Sequence, residues 1–221
     1  MLDFWKELID TRIQTTSWDL DYLVNIDVIK EIVDEVHRRA PSKQNGVRYK
    51  MHLFDWSNTE IRNNLYEFAV DRNQPTPEYY NYNSQVLANW LVVFTSKLSS
   101  FADPNTNLAD DKLRSDLVGH LEIGLASYFL IHGATVRGLD SGFCRCYDYD
   151  YQNRDHICKA LDIEETEDVC LMIGIGKAKT ENIDTTLNLH TGLEVNSQSD
   201  KGFKWQIEPK PEPDNYIFYH V

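Results

Sequence analysis

Basic side chains are concentrated in one short segment of a chain that is acidic as a whole. The 221 residues include 22 Lys and Arg and 35 Asp and Glu, which gives a formal net charge of −13. Residues 36 to 50 nevertheless contain five basic residues and no acidic one. Arg38 and Arg39 fit the end of a predicted helix, where cations are favourable. Lys43 and Arg48 lie beyond that end, so the segment predicts either a helix end with extra charge or a local anion-binding site.

Cysteine and histidine residues are the other candidates for chemistry. Cys144 and Cys146 have a spacing that occurs in metal and redox sites, but no second Cys pair or Cys/His pair has zinc spacing. We therefore predict no metal site. His132 lies in an apolar stretch and is predicted to be a core histidine rather than a catalyst. The sequence has no Ser-His-Asp order, no GxxxxGK[ST] phosphate loop and no HExxH pair.

Charge and composition argue against several classes of protein. A strongly acidic chain is a poor partner for nucleic acid, because phosphate backbones require a basic face. No run approaches the roughly 18 consecutive apolar residues that a bilayer span requires. The N-terminal residues MLDFWKELIDTR include no basic region before an apolar run, so no secretory signal is expected. We therefore predict a cytoplasmic protein with reduced cysteines and no membrane partner.

The longest apolar pattern lies within residues 116 to 148. Four large apolar residues recur there at helical spacing: Leu117, Leu121, Leu125 and Phe129. No Asp, Glu, Lys or Arg occurs between Ile123 and Val136. A helix that is apolar nearly all round predicts burial against other helices at close range. Residues 137 to 142 contain two glycines and predict a turn, because glycine takes positive φ at little steric cost.

The remaining pattern predicts a single α+β domain over residues 1–221. Predicted helices span residues 2–10, 28–39 with Asp27 as the N-cap, 57 or 58 to about 70, and 153–161. Predicted strands span residues 49–56, 86–95 and 169–175. Residues 71–84 and 96–107 form long loops of a kind that often covers a binding site. The segment from about 177 to 221 is polar and irregular.

Four segments follow one another in an order that is moderately specific. They are DTRIQTT (Asp10–Thr16), APSKQN (Ala40–Asn45), ATVRGLDS (Ala134–Ser141), and a helix, acidic connector and strand ending in glycine (Cys158–Gly176). In this order and spacing the chain resembles the nitroreductase superfamily of FMN-dependent oxidoreductases. The resemblance implies a mostly antiparallel central sheet that is flanked by helices and packed on a long buried core helix.

The same resemblance implies an FMN site. Arg12 has the position of the family's first phosphate ligand, and Gln14 and Thr16 follow where the family has a hydroxyl and a second basic residue. The APSKQN turn matches residues that lie near the flavin ring, and residues 138 to 146 match a segment whose backbone amides bond the flavin edge. Lys210 matches a C-terminal phosphate ligand, with Lys204 as the second candidate. The implied cofactor-binding set is Arg12, Gln14, Thr16, Pro41, Ser42, Lys43, Asn45, Gly138, Leu139, Ser141, Gly142, Cys144, Arg145 and Lys210.

The resemblance also implies an activity and an assembly. Similar proteins are homodimers that exchange terminal segments and bind FMN at the interface. They pass electrons from NADH or NADPH through FMN to an electron-poor acceptor, such as a nitroaromatic or a quinone, in a ping-pong reaction. The flavin carries out this chemistry, so no side chain is predicted to be catalytic. Two alternatives stay open: another FMN reaction on the same fold (dehalogenation, dehydrogenation or flavin breakdown), and a non-enzymatic interaction module.

Overall fold

The computed structural model contains a four-stranded sheet with helices on both faces. Most of the helix predicted after residue 58, most of both long predicted loops and the C-terminal segment from residue 180 lie outside the described residues. The second predicted loop begins later than predicted, because residues 96 and 97 still belong to a strand paired on both sides. The structure describes residues 2–12, 14–15, 18–55, 57–58, 60–61, 65, 84–97, 112–144, 154–163 and 167–179.

Along the chain, two described α-helices precede two strands, and two further α-helices are each followed by a strand. The helices are α1 (Leu2–Thr11), α2 (Ile26–Arg39), α3 (Lys112–Thr135) and α4 (Arg154–Ala160). The strands are β1 (Tyr49–Asp55), β2 (Trp90–Lys97), β3 (Asp140–Cys144) and β4 (Glu167–Gly176). The strand order is β1-β2-β4-β3, and every neighbouring pair is antiparallel. The predicted α+β class with a mostly antiparallel sheet is confirmed.

The sheet is the middle layer, and its central strand β2 is buried on both faces. Val92 and Phe94 pack on the side of α2 and α3, whereas Leu91 and Val93 pack on the side of α4. This alternation explains why β2 has the continuous apolar run that a strand with two covered faces requires. The strand begins at Trp90 rather than Val86, because residues Ser84–Leu87 form a 3-10 turn that leads into it.

Helix α2 packs one apolar stripe on the sheet through Ile29, Ile32 and Val36. The prediction that Asp27 is its N-cap is wrong. Asn25 is the N-cap, and its Oδ1 accepts a 2.9 Å hydrogen bond from Asp27 N. Asp27 lies inside the first turn, where a carboxylate is favourable beside the positive end of the helix dipole.

Helix α3 has one buried apolar face and one exposed apolar face. Its buried residues Ile123, Ala126, Leu130 and Ala134 pack in the core with α2 and the sheet. The prediction that α3 is buried nearly all round is therefore wrong for the single chain, because hydrophobic periodicity does not reveal what covers each face. The exposed apolar residues are Leu117, Leu121, Leu125, Tyr128 and Phe129, with exposures between 37% and 64%.

Length and composition alone would allow one segment of α3 to cross a membrane. Leu117–Thr135 reaches a mean hydropathy of 1.2, with 39% of the window buried. The core helix of a globular domain meets the same criterion. Its contacts with the core on one face and its mixture of small and large residues agree with that second description.

The turn after α3 is shorter than predicted. Gly138 has φ = 70°, and its N donates to Thr135 O at 2.9 Å while Leu139 N donates to Ala134 O at 3.0 Å, so the helix ends as predicted. From Asp140 onward, however, the chain is a strand paired with β4. Residues such as Asp, Ser and Gly disfavour strands locally, and the pairing with β4 overrides that preference.

Two glycines of β4 allow the segment that precedes β2 to pack directly on the strand. A Cβ atom at Gly174 would collide with Gln85 O and would lie 2.7 Å from Ala88 Cβ. A Cβ atom at Gly176 would collide with Asn89 Oδ1. Because neither glycine has a side chain, Asn89 comes close enough to accept a 3.1 Å hydrogen bond from Lys177 N and to donate from Nδ2 to Asp19 O and Tyr22 O.

Candidate functional site

Residues 14 and 15 run beside β3. Gln14 and the β3 residues Ser141 and Gly142 belong to the first group of predicted site residues. Thr15 N donates a 3.0 Å hydrogen bond to Ser141 O. The side-chain amide of Gln14 makes two bonds to Phe143: Nε2 donates to Phe143 O at 2.8 Å, and Oε1 accepts from Phe143 N at 3.3 Å. Gln14 and Ser141, both from the predicted cofactor-binding set, are therefore neighbours, and the amide of Gln14 is used to bind β3.

Three buried side-chain oxygens near this contact have no hydrogen-bond partner among the residues that the structure describes. They are Thr15 Oγ1, Ser141 Oγ and Gln85 Oε1. Gly142 is part of the same contact, since a Cβ atom there would collide with Thr15 O and would lie 3.0 Å from Gln85 Cγ. Buried polar groups are normally hydrogen-bonded, so these three oxygens could still form hydrogen bonds with a ligand.

Arg12 follows α1 directly and is the cation of this first group. Its side chain is partly buried, and burial lowers the pKa of the guanidinium below its usual range. Arginine nevertheless stays protonated in proteins. In the described part of the chain, no carboxylate forms an ion pair with Arg12. A partly buried cation without a carboxylate is suited to an anionic ligand.

The second group lies in the turn before β1, which is attached to α3 by one carboxylate. Glu122 Oε1 accepts hydrogen bonds from Lys43 N at 2.8 Å and from Arg48 Nη1 at 2.9 Å, and Glu122 Oε2 accepts from Arg48 N at 2.7 Å. Arg48 was a candidate cation of an anion site, but its guanidinium pairs with Glu122. The predicted residues in this turn are Pro41, Ser42, Lys43 and Asn45.

Glu122 and Arg48 are among the most buried charged residues of the described chain, with exposures of 2% and 8%. The negative charge also acts on Tyr49: burial, and after it the charge of Glu122, raises the pKa of the Tyr49 hydroxyl. On the outer side of the turn, Lys43 and Asn45 are exposed and Ser42 is partly exposed. The turn therefore presents its polar residues outward while its attachment to α3 is buried.

The backbone of this turn is strained at two residues. Asn45 has φ = 56° and Val47 has φ = 43°. Asparagine tolerates the left-handed region, but a β-branched residue such as valine is a clear outlier there. Such conformations persist only where surrounding contacts determine them, and they occur most often at functional sites. Here the contacts are the hydrogen bonds to Glu122 on either side of the strained residues.

One chain does not bring the two groups together. The strand order places β3 and β1 at opposite edges of the sheet, with Arg12 and Gln14 beside β3 and the Ser42 turn before β1. Along α3, Glu122 lies thirteen residues before the helix end at Thr135, or about 20 Å at 1.5 Å per residue.

Not every predicted site residue has an accessible side chain or a described position. Leu139 and Cys144 are only 4% and 2% exposed, so their side chains are not available to a ligand. Gly138 and Gly142 likewise offer backbone groups alone. Thr16, Arg145 and Lys210 lie outside the described residues.

Sequence reasoning did not single out Glu122 or Gln85. Helical spacing contains a signal for Glu122, because residues 126, 130 and 134 at successive intervals of four all lie on the buried face of α3. An acid on that stripe is a buried carboxylate that requires partners. No comparable local signal exists for Gln85, whose position follows from the glycine at residue 174.

Comparison with known proteins identifies the fold. No protein-family model matches the sequence, and no curated protein matches it. Solved structures do match over most of the chain. A nitroreductase-like protein from Streptococcus mutans has a TM-score of 0.66 at 18% identity and covers 100% of both chains. A nitroreductase with bound FMN from Desulfitobacterium hafniense DCB-2 has a TM-score of 0.62 at 12% identity and covers 98% of this chain and 97% of its own.

A third structure has the same architecture. An FMN-dependent nitroreductase from Clostridium difficile R20291 has a TM-score of 0.57 at 16% identity and covers 80% of this chain and 93% of its own. The predicted nitroreductase-like fold is confirmed by these similarities. At such low identity they establish the fold and leave the activity to be argued from the site.

The contact between Gln14 and β3 is directly testable. In Gln14→Met the side chain has similar length but makes no hydrogen bond to Phe143, so the free energy of unfolding should fall by about 1–2 kcal/mol. Urea denaturation monitored by circular dichroism measures this change.

The matched control is Lys6→Met, which introduces the same methionine side chain at an exposed position of α1. Its unfolding midpoint should stay close to that of the unmodified protein. Equal midpoints for Gln14→Met and Lys6→Met would contradict a structural role for the Gln14 amide.

Proposed function

We propose that this protein binds FMN and is an FMN-dependent oxidoreductase. The observation that carries the proposal is Arg12, a partly buried cation with no carboxylate partner in the described part of a nitroreductase fold. FMN has a dianionic phosphate, which requires cations and N–H donors at its binding site. The unused buried oxygens of Thr15, Gln85 and Ser141 add polar groups at the same edge of the sheet.

The chain's residues have separate roles in this proposal. Arg12 binds the phosphate, with Thr16 and Lys210 as further ligands that lie outside the described residues. Gln14 and Thr15 fix the position of β3, which lies within the segment that the resemblance matches to the flavin edge. Ser42, Lys43 and Asn45 contribute from the turn before β1.

A second copy of the chain is part of the proposal. The two groups of site residues lie at opposite edges of one subunit, so they form one site only if a partner supplies the second group. Helix α3 provides the surface for such a partner, since its exposed face is apolar over three turns and contains Leu121 and Leu125. A large exposed apolar patch indicates an interaction surface. A twofold pairing through α3 would create two equivalent sites.

When bound, FMN would supply the electron transfer from NADH or NADPH to an electron-poor acceptor, such as a nitroaromatic or a quinone, and the resemblance implies a ping-pong order. The protein binds and orients the cofactor, and no side chain is required as a nucleophile or essential acid. We place this activity in the cytoplasm, in agreement with the buried cysteines Cys144, Cys158 and Cys170, none of which forms a disulfide in the described part of the chain.

The first test is flavin binding. Purified protein should be yellow or become yellow with FMN, and the flavin absorbance should bleach under nitrogen when NADH or NADPH is added. A colourless protein that does not take up FMN would contradict the proposal. Binding without bleaching by either nucleotide would reject the nicotinamide donor and favour another FMN reaction or a non-enzymatic role.

The phosphate contact is tested by Arg12→Ala. Loss of a charge-assisted hydrogen bond should weaken FMN binding about tenfold to a hundredfold, measured by quenching of flavin fluorescence. Arg38→Ala is the matched control, since Arg38 is exposed and pairs only with Asp34 in the described chain. Equal affinities for the two variants would show that the phosphate binds elsewhere.

The dimer is tested by Leu121→Glu. A carboxylate on the apolar face of α3 should prevent pairing, so light scattering after gel filtration should report a monomer that has also lost FMN. Leu23→Glu is the control, because Leu23 is 90% exposed in the segment before α2. A Leu121→Glu protein that stays dimeric and binds FMN would reject this interface.

A further inference from the structure

Glu122 is a buried carboxylate whose hydrogen bonds all go to one turn. It accepts from Lys43 N and Arg48 N, which stand at the two ends of the turn, and from the Arg48 guanidinium. The Arg48 guanidinium also donates to Lys43 O at 3.4 Å. The pair thus links both ends of the turn to each other and to α3.

A contribution to the stability of the fold does not by itself explain why Glu122 and Arg48 are buried as a pair. Burying two charges is unfavourable, and a buried ion pair often contributes no more than apolar residues of the same size would. A buried pair can instead select one conformation of the backbone around it. The strained residues Asn45 and Val47 lie between the two N–H groups that donate to Glu122, so the hydrogen bonds restrain the part of the turn that would otherwise relax.

We propose that Glu122 is a positioning residue that fixes the turn of residues 42 to 48 in the conformation in which Ser42 and Asn45 contact the cofactor. The inference rests on the proposed function for the identity of the cofactor. The restraint of the turn rests on the geometry of this chain alone. Glu122 does not touch the cofactor in this account, because it is buried between α3 and the turn.

Glutamine is the informative replacement because it preserves the shape of the side chain. A carboxylate has two acceptor oxygens, and both are used by backbone N–H groups. A glutamine amide has one acceptor oxygen and an NH2 group that only donates. In Glu122→Gln, either Lys43 N or Arg48 N must face a donor, so the turn loses one of its two anchors whichever way the amide is oriented.

The direction in which FMN affinity changes distinguishes a positioning role of Glu122 from a simple effect of its charge. FMN is an anion, so removal of a negative charge from the protein should by itself strengthen FMN binding slightly. Weaker binding in Glu122→Gln would therefore arise from the altered turn. Asp34→Asn, which removes an exposed carboxylate on α2, provides the reference for charge alone.

The experiment combines hydrogen exchange with FMN titration in the unmodified protein, Glu122→Gln and Leu130→Ala. Leu130 is fully buried on the same helix, so its truncation lowers global stability without touching the turn. We expect amides of residues 43 to 48 to exchange at least tenfold faster in Glu122→Gln and at the unmodified rate in Leu130→Ala. FMN affinity should fall at least tenfold in Glu122→Gln and remain within about twofold in Leu130→Ala.

Each outcome addresses a different part of the inference. Unchanged exchange of residues 43 to 48 in Glu122→Gln would overturn the restraint of the turn. Faster exchange with unchanged FMN affinity would overturn its role toward the cofactor, as would equal losses of affinity in Glu122→Gln and Leu130→Ala. If the unmodified protein takes up no FMN, the proposed function fails, while the exchange measurement still decides whether Glu122 fixes the turn.

Discussion

The close approach of residues 85 to 89 to β4 is the constraint on which the rest of the structure depends. Gly174 and Gly176 leave space for it, and Asn89 then binds the backbone at Asp19, Tyr22 and Lys177. These bonds attach the N-terminal segment to the same side of the sheet as β3. Gln14 and Thr15 are held on β3 by their own hydrogen bonds, so both parts of the described N-terminal segment are attached to the sheet beside β3 and β4.

Helix α3 lies between the two groups of predicted site residues and differs on its two faces. The inner face supplies core packing and, one turn before the apolar stripe, the buried carboxylate of Glu122. The outer face is equally apolar but is exposed in the single chain. One helix therefore fixes the turn that precedes β1 and also provides the proposed contact with a second copy. In this way α3 would set the distance between one subunit's turn and its partner's β3 edge.

Much of the fold was predictable from periodicity, because β1, α2 and β4 have patterns that their own residues determine. The β3 strand was not predicted, since it depends on a partner far away in sequence. Helical spacing indicates that Glu122 is buried, but its partners Lys43 and Arg48 are far away in sequence and leave no local signal. Ser141 and Gly142 adopt a strand only because β4 lies beside them. The exposure of Leu121 was missed for a related reason: an apolar residue that is exposed on a helix has the same sequence pattern as one that contacts the core.

The side-chain bonds of Gln14 to Phe143 have a consequence for self-association. An outermost strand with free N–H and C=O groups is a template on which another chain can add a strand, and repeated addition leads to aggregates. Gln14 and Thr15 occupy three of those groups on β3. In the described sheet, this edge is thereby protected without a further strand, and addition of a strand from another chain to β3 is disfavoured.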